Sequence, residues 1–231
     1  MNPIEWGANP VFGVSVTLIA YVAALGLQRR WPWLNAMFIC CLAIILLLVL
    51  SGIPYESYKV GGDMIAFLLG PATVALGVPL YKHAKVLIAR MRSVLSGIVA
   101  GSLCGMFTSA CFVWLAGGNR ELLMTIMPKS VTSPISMEIA RLFGGIPELA
   151  AVLTVLTGLF GSMFGPALLR LVGVTDGLAI GAAMGTSAHG IGTSRVIQES
   201  ELQGSASGFA MGAAGLISTF AAMPIYYWMH P

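Results

Sequence analysis

The stretch SVLSGIVAGSLCGMFTSACFVWLAGGN, residues 93 to 119, carries no charged side chain. A membrane-spanning helix needs ~20 consecutive, mainly apolar residues, and this run exceeds that length. Similar uncharged stretches run from Trp6 to Gln28, Trp31 to Tyr55, Met64 to Tyr81, Leu149 to Leu169 and Gly177 to Ser194, and a last apolar stretch follows Leu202. Of the 231 residues, 57% are hydrophobic and 9% charged, and the mean hydropathy is +0.88. Such a chain is too apolar to present a water-compatible surface, which leaves lipid as its solvent. Backbone inside hydrocarbon must satisfy its own hydrogen bonds, and these continuous runs lack the short alternating pattern of barrel strands. The expected fold is an all-α integral membrane protein, a polytopic helical bundle of about seven or eight membrane segments.

The start, Met1-Asn2-Pro3-Ile4-Glu5-Trp6, lacks a basic n-region, so the first apolar segment is expected to remain in the mature protein. The net charge of +3 comes from 12 Lys and Arg against 9 Asp and Glu, most of them between apolar segments, and nothing in it suggests nucleic-acid binding. Lys82, Lys85, Arg90 and Arg92 crowd one short loop and Arg29 with Arg30 another; both loops are expected on the cytoplasmic side. That places the N-terminus outside if Met64 to Tyr81 crosses once. Cys40, Cys41, Cys104 and Cys111 fall in apolar segments and read as small packing hydrophobes. No metal-site spacing occurs, and no cofactor or metal is expected.

The breaks in the apolar pattern suggest two related halves, 9–116 and 119–229, within a single membrane domain 1–231. Asn9-Pro10 and Ser133-Pro134 each read as an N-cap followed by proline. Pro32-Trp33-Leu34 and Pro147-Glu148-Leu149 each precede a long apolar run, an interrupted Gly-rich segment follows in each half, and Ser96-Gly97 with Gly101 is matched by Ser207-Gly208 with Gly212. Secondary transporters are often built from such repeats. Whether the repeats are inverted depends on whether the interrupted segments cross or turn back. The spacings Gly97-x-x-x-Gly101-x-x-x-Gly105 and Gly208-x-x-x-Gly212 read as close helix packing.

Three breaks carry polar chemistry. Pro128-Lys129-Ser130-Val131-Thr132-Ser133-Pro134 has prolines at both ends, so unwound backbone is expected between them. The helix restarting at Pro134 would turn freed N–H groups toward the gap, and Lys129 adds a full positive charge, which together attract a small carboxylate. The flanking segments, Leu122 to Pro128 and Ile135 to Phe143, are too short to span, which suits a re-entrant hairpin or a broken helix better than an ordinary loop. The second break runs from Gly185 to Arg195 and sets Gly185, Gly190 and Gly192 with Thr186, Ser187, Thr193 and Ser194 around His189. Glycine admits a ligand to the backbone, hydroxyls donate and accept, and an ionisable residue inside a membrane segment is a functional candidate. The bland alternative makes His189 a neutral packing residue and lets Arg195 reach the interface. The third break, Gly70-Pro71-Ala72-Thr73 with Pro79, lacks charge and reads as a cavity wall with Thr73 as a possible contact, or as a kink without function.

Gly70-Pro71-Ala72-Thr73-Val74-Ala75-Leu76 with Pro79-Leu80-Tyr81-Lys82, then Pro128-Lys129-Ser130-Val131-Thr132-Ser133-Pro134-Ile135 with Met137-Glu138, then His189-Gly190-Ile191-Gly192-Thr193-Ser194-Arg195 together resemble the LrgB/CidB family of bacterial membrane proteins, over nearly the whole chain. The resemblance implies two things. Bacterial members are described as holin- or antiholin-like modulators of murein hydrolase export and autolysis, encoded beside a smaller LrgA/CidA-type membrane protein. A plant relative fuses both parts into a plastidal glycolate/glycerate translocator, whose C-terminal half this chain resembles.

The favoured function is secondary transport of small (hydroxy)carboxylates across the bacterial inner membrane, with a small organic anion, the lipid bilayer and a smaller LrgA/CidA-type subunit as partners and a homo-oligomer as a further option. Lys129, His189 and Arg195 are candidate carboxylate partners. Ser130, Thr132, Ser133, Thr186, Ser187, Thr193 and Ser194 are candidate hydroxyl contacts, with Thr73 beside them. His189 and Glu138 are candidates for proton coupling, although Glu138 also suits a pair with Arg141. A holin-like role is the alternative. Enzymatic activity is not expected, because Gly185-Thr186-Ser187-Ala188-His189 lacks the second glycine of a nucleophile elbow and no zinc-binding His-Glu-x-x-His occurs.

Overall fold

The structure, a computed structural model, describes residues 9–31 and 34–229. The expectations placed on Met1 to Trp6 and on Pro32-Trp33 lie outside the described residues. Among the described residues there are helices and no strands, and the chain divides into two compact units between Ala75 and Leu76. Among the described residues, five helical stretches are long and apolar enough to cross a membrane: Pro10–Arg30, Tyr55–Ala89, Met91–Leu115, Pro147–Leu171 and Glu201–Tyr227.

The first unit contains α1 (Pro10–Arg30), α2 (Ala36–Ser51), α3 (Tyr55–Phe67) and α4 (Leu69–Ala75). Asn9 caps α1, its side chain accepting from Val11 N at 2.9 Å, with Pro10 in the first turn. Asn35 caps α2 in the same way, from Met37 N at 2.8 Å. Gly13 of α1 meets Gly61 of α3 backbone to backbone, and a Cβ on Gly13 would sit 2.6 Å from Tyr58 O. That close approach is locked by Thr17 Oγ1 and Tyr58 Oη at 2.8 Å, and Ala24, Ala36, Cys40 and Ile44 fill the space behind it.

The breaks at the first Gly-Pro segment lie upstream of its prolines. A proline ring collides with the carbonyl four residues earlier. For Pro71 that carbonyl belongs to Phe67, where α3 ends, and for Pro79 to Ala75, where α4 ends. The helices therefore break at Leu68 and Leu76, while Gly70, Pro71 and Pro79 lie in the first turns of the helices that follow.

The second unit contains α5 (Gly77–Ala89), α6 (Met91–Leu115), α7 (Arg120–Ile126), α8 (Ser133–Leu142), α9 (Pro147–Leu171), α10 (Gly177–Val196) and α11 (Glu201–Met229). Ala206, Ala210 and Ala214 recur every four residues along α11 and pack against Leu87, Val94, Ile98 and Leu178. Alanine lets helices approach closely where lipid supplies no hydrophobic drive for association. The expectation for Gly97 and for Gly208-x-x-x-Gly212 needs correcting: an added Cβ on Gly97 or Gly212 meets nothing within 4 Å, and one on Gly208 only just reaches Leu76. The alanine stripe packs this part of the bundle, and those glycines do not.

Two segments enter the second unit and turn back. In α10 the reversal falls at His189, with φ 41° and ψ −134°. Val196 packs with Ile180, Met184 and Ala188, although in a continuous helix Val196 and Ile180 would be ~24 Å apart. A Cβ on Gly192 would lie 2.9 Å from the carbonyl of Met184, eight residues earlier. Ser207 of α11 touches both limbs, the backbone at Gly185 and the Thr193 hydroxyl at 2.8 Å. The inbound limb, 177–188, runs antiparallel to α9, with Gly165 against Met184 and Gly158 against His189, and parallel to α11, with Gly177 against Leu202 and Gly181 against Gln203.

The other hairpin consists of α7, residues 127–132 and α8. Ile146 N, just before α9, donates to Thr125 Oγ1 at 2.9 Å, which ties the outer part of this hairpin to the start of α9. Met124, Met127 and Ile139 pack as one cluster between its limbs. Thr132, not Ser133, is the cap residue of α8 and makes no side-chain cap bond; the helix begins one residue earlier than the sequence suggests, with Ser133 and Pro134 inside its first turn.

Candidate functional site

The two hairpins enter from opposite faces. The second starts where α6 begins and α9 ends, because Arg90 before α6 pairs with Asp176 before α10 at 2.8 Å. The first starts where α6 ends and α9 begins. Their tips come to the same level of α9. Ser136 Oγ donates to Ala150 O at 3.5 Å, and continuing that antiparallel register brings Thr132 level with Thr154. His189 Nε2 lies 3.0 Å from Thr154 O and, as the donor, fixes the tip of the second hairpin there.

Between α6 and the inbound limb runs a groove of about 740 Å³. Its mouth is the Arg90–Asp176 pair beside Ser93. Its wall is made by Gly97, Gly101 and Gly105 of α6 facing Ala182, Ala183, Thr186 and Ser187 of α10, and Ser130 closes its inner end. The glycines create the space. A Cβ on Gly101 would reach 3.3 Å from Thr186 Cγ2, and one on Gly105 would lie 3.7 Å from Ser130 Oγ. At ~1.5 Å per residue, Gly105 stands ~21 Å along α6, past the middle of a ~30 Å hydrocarbon layer.

Lys129 is half-buried just beyond that inner end, and its ammonium donates to Ser109 Oγ and to Gly105 O at 3.4 Å. Thr186 and Ser187 donate their hydroxyl protons to Ala182 O and Ala183 O, each at 2.7 Å, which leaves their oxygens as acceptors toward the groove. Asp176 at the mouth accepts from Ala179 N at 3.0 Å; this backbone bond, ahead of the Arg90 guanidinium, holds its carboxyl below the usual carboxylate range.

Among the sequence-predicted residues, the groove gathers Ser130, Thr186 and Ser187, with Lys129 docked behind them. His189 is buried at the hairpin tip against Gly158 and is not a wall residue. Thr193 is spent on His189 O at 2.8 Å and on Ser207, and Ser194 on Ile191 O. Arg195 sits at the base of the returning limb, where Glu199 binds it at 2.9 Å and Arg170 at 2.8 Å. Glu138 is exposed and lies 3.8 Å from Arg141. Thr73 belongs to the first unit and donates to Leu69 O. Sequence reasoning missed Ser109, Thr154 and Gly158. The only available signal was the four-residue spacing that continues Gly97, Gly101 and Gly105 on to Ser109.

The model of the LrgB-like family matches residues 17–228. The chain belongs to the LrgB-like family. It is 32% identical over 218 residues to the uncharacterized protein YxaC of Bacillus subtilis, covering 94% of both chains. It is 33% identical to YwbG of the same organism, covering 92% of this chain and 95% of the relative, and 34% identical to an uncharacterized protein of Haemophilus influenzae, covering 90% of each. No solved structure matches. Family membership and the long apolar helices together make this a multi-pass membrane protein of the LrgB type.

Proposed function

We propose that this LrgB-type protein is an inner-membrane secondary transporter of small hydroxycarboxylates, glycolate- or glycerate-like anions. The observation that carries the reading is the pair of re-entrant hairpins, entering from opposite faces, whose residues border one groove. Broken helices meeting at mid-depth are how membrane carriers present backbone dipoles to a substrate. The first turn of α8 adds partial positive charge beside Lys129, which brings a full charge to the groove's inner end. Thr186 and Ser187 offer acceptors, which suit the hydroxyl of a hydroxy acid while the ammonium takes its carboxylate. His189, buried where the tips converge, is the proposed site of proton coupling, and a smaller LrgA/CidA-type subunit is the proposed partner.

Uptake of labelled glycolate, glycerate, lactate and pyruvate into vesicles holding this chain, alone and with the smaller subunit, tests the proposal. Saturable uptake that disappears in Lys129→Ala is expected. Unsaturable dye leakage, indifferent to Lys129→Ala and His189→Ala, would favour the holin-like role instead. Flux unresponsive to an imposed pH gradient removes the proton-coupled part.

A further inference from the structure

The Lys129 ammonium lies on the far side of the groove's inner end. Gly105 belongs to the groove wall while Lys129 does not, and helix carbonyls point toward the C-terminus, so an ammonium bound to Gly105 O sits on the Ser109 side. Ser109 is buried and donates its own proton to Gly105 O at 2.5 Å. Its remaining lone pairs therefore face Lys129, which can only donate. Both acceptors belong to α6, whereas Lys129 belongs to the tip of the first hairpin, so this contact fastens a hairpin tip to the groove wall.

We infer that Ser109 Oγ and Gly105 O form a resting dock for the Lys129 ammonium, and that an anion entering the groove draws the ammonium off it, freeing the hairpin tip from α6. The inference rests on the transport reading above. A carboxylate makes a charge-assisted bond that a neutral hydroxyl cannot match, so exchange of partners favours the anion. Ser109 is thus a positioning residue that competes with substrate. Weakening the dock tightens apparent binding.

The test is uptake kinetics of the best-transported of the four acids in wild type, Ser109→Ala and Ser109→Thr. Removing one acceptor should lower KM by roughly threefold to tenfold, and Ser109→Thr, which keeps the hydroxyl, should retain the wild-type KM. An unchanged or raised KM in Ser109→Ala overturns the inference, since a serine that merely packs or aims the lysine gives one of those results. A second measurement does not depend on flux. With the four native cysteines replaced, Ser109→Cys should react faster with N-ethylmaleimide when saturating substrate is present; equal or slower labelling overturns the dock. Absence of saturable uptake by the wild type sinks the transport reading and the dock with it, whereas saturable uptake with these variant results reversed sinks the dock alone.

Discussion

Gly158→Ala isolates the seat of the second hairpin. The Cβ it introduces would stand 2.7 Å from both Cε1 and Nε2 of His189, where non-bonded carbon atoms prefer ~3.5–4.0 Å. His189 cannot retreat freely: its backbone occupies the reversal at φ 41°, its ring is buried, and Nε2 is bonded to Thr154 O. Overpacking costs ~1–3 kcal/mol and leaving the buried His189 ring N–H without its acceptor ~1–3 kcal/mol more, so the variant should lose ~2–6 kcal/mol. Thermal unfolding in detergent, followed by monodispersity after heating, reads the loss. Gly212→Ala, whose Cβ meets nothing within 4 Å, is the control and should be neutral or slightly stabilising. If Gly158→Ala and Gly212→Ala melt together, the ring of His189 is not seated on α9 and the reasoning about the hairpin tip is wrong.

Gly97→Leu projects a side chain into the open groove from a position whose Cβ meets nothing within 4 Å, so uptake should fall to background while the melting temperature changes by less than that of Gly158→Ala; retained uptake would place the substrate path elsewhere. Asp176→Ala removes a helix cap and should cost ~1 kcal/mol, whereas Asp176→Asn keeps the cap and should stay close to wild type. Because the folded-state pKa of Asp176 is depressed, its contribution is present above the ordinary carboxylate range and fades as pH falls through the lowered value, so the wild type should converge on Asp176→Ala in acid melts.

Much of the fold was legible because lipid imposes a length rule that uncharged runs reveal directly. The first hairpin was partly legible too, since the segments flanking Pro128 and Pro134 are too short to cross, which pointed to a hairpin or a broken helix. The reversal in α10 was not. Its glycines advertise a weak helix, but the residue that adopts positive φ is His189, and what folds the limb back is contact between Gly158, Gly161 and Gly165 of α9 and Met184, Ala188 and His189, which are distant in sequence. The groove was misread for a related reason. A run of glycines every four residues serves equally to bring helices together or to hold space open, and only the facing Ala182, Ala183 and Thr186 decide between them. Ser109 gave no chemical signal of its own, because its role exists only where a lysine from another segment lands on it.

A hairpin that leaves by the face it entered makes no net crossing, and that changes the parity of the chain. The end of α9, both ends of α10 and the start of α11 all lie on one face, the face that bears Arg90, Arg170 and Arg195. Reporter domains inserted in 172–176 and in 197–200 would therefore share a compartment, and the far end of α11 would sit in the other. A hydropathy plot that counts Gly177 to Val196 as a traverse inverts every assignment downstream of it.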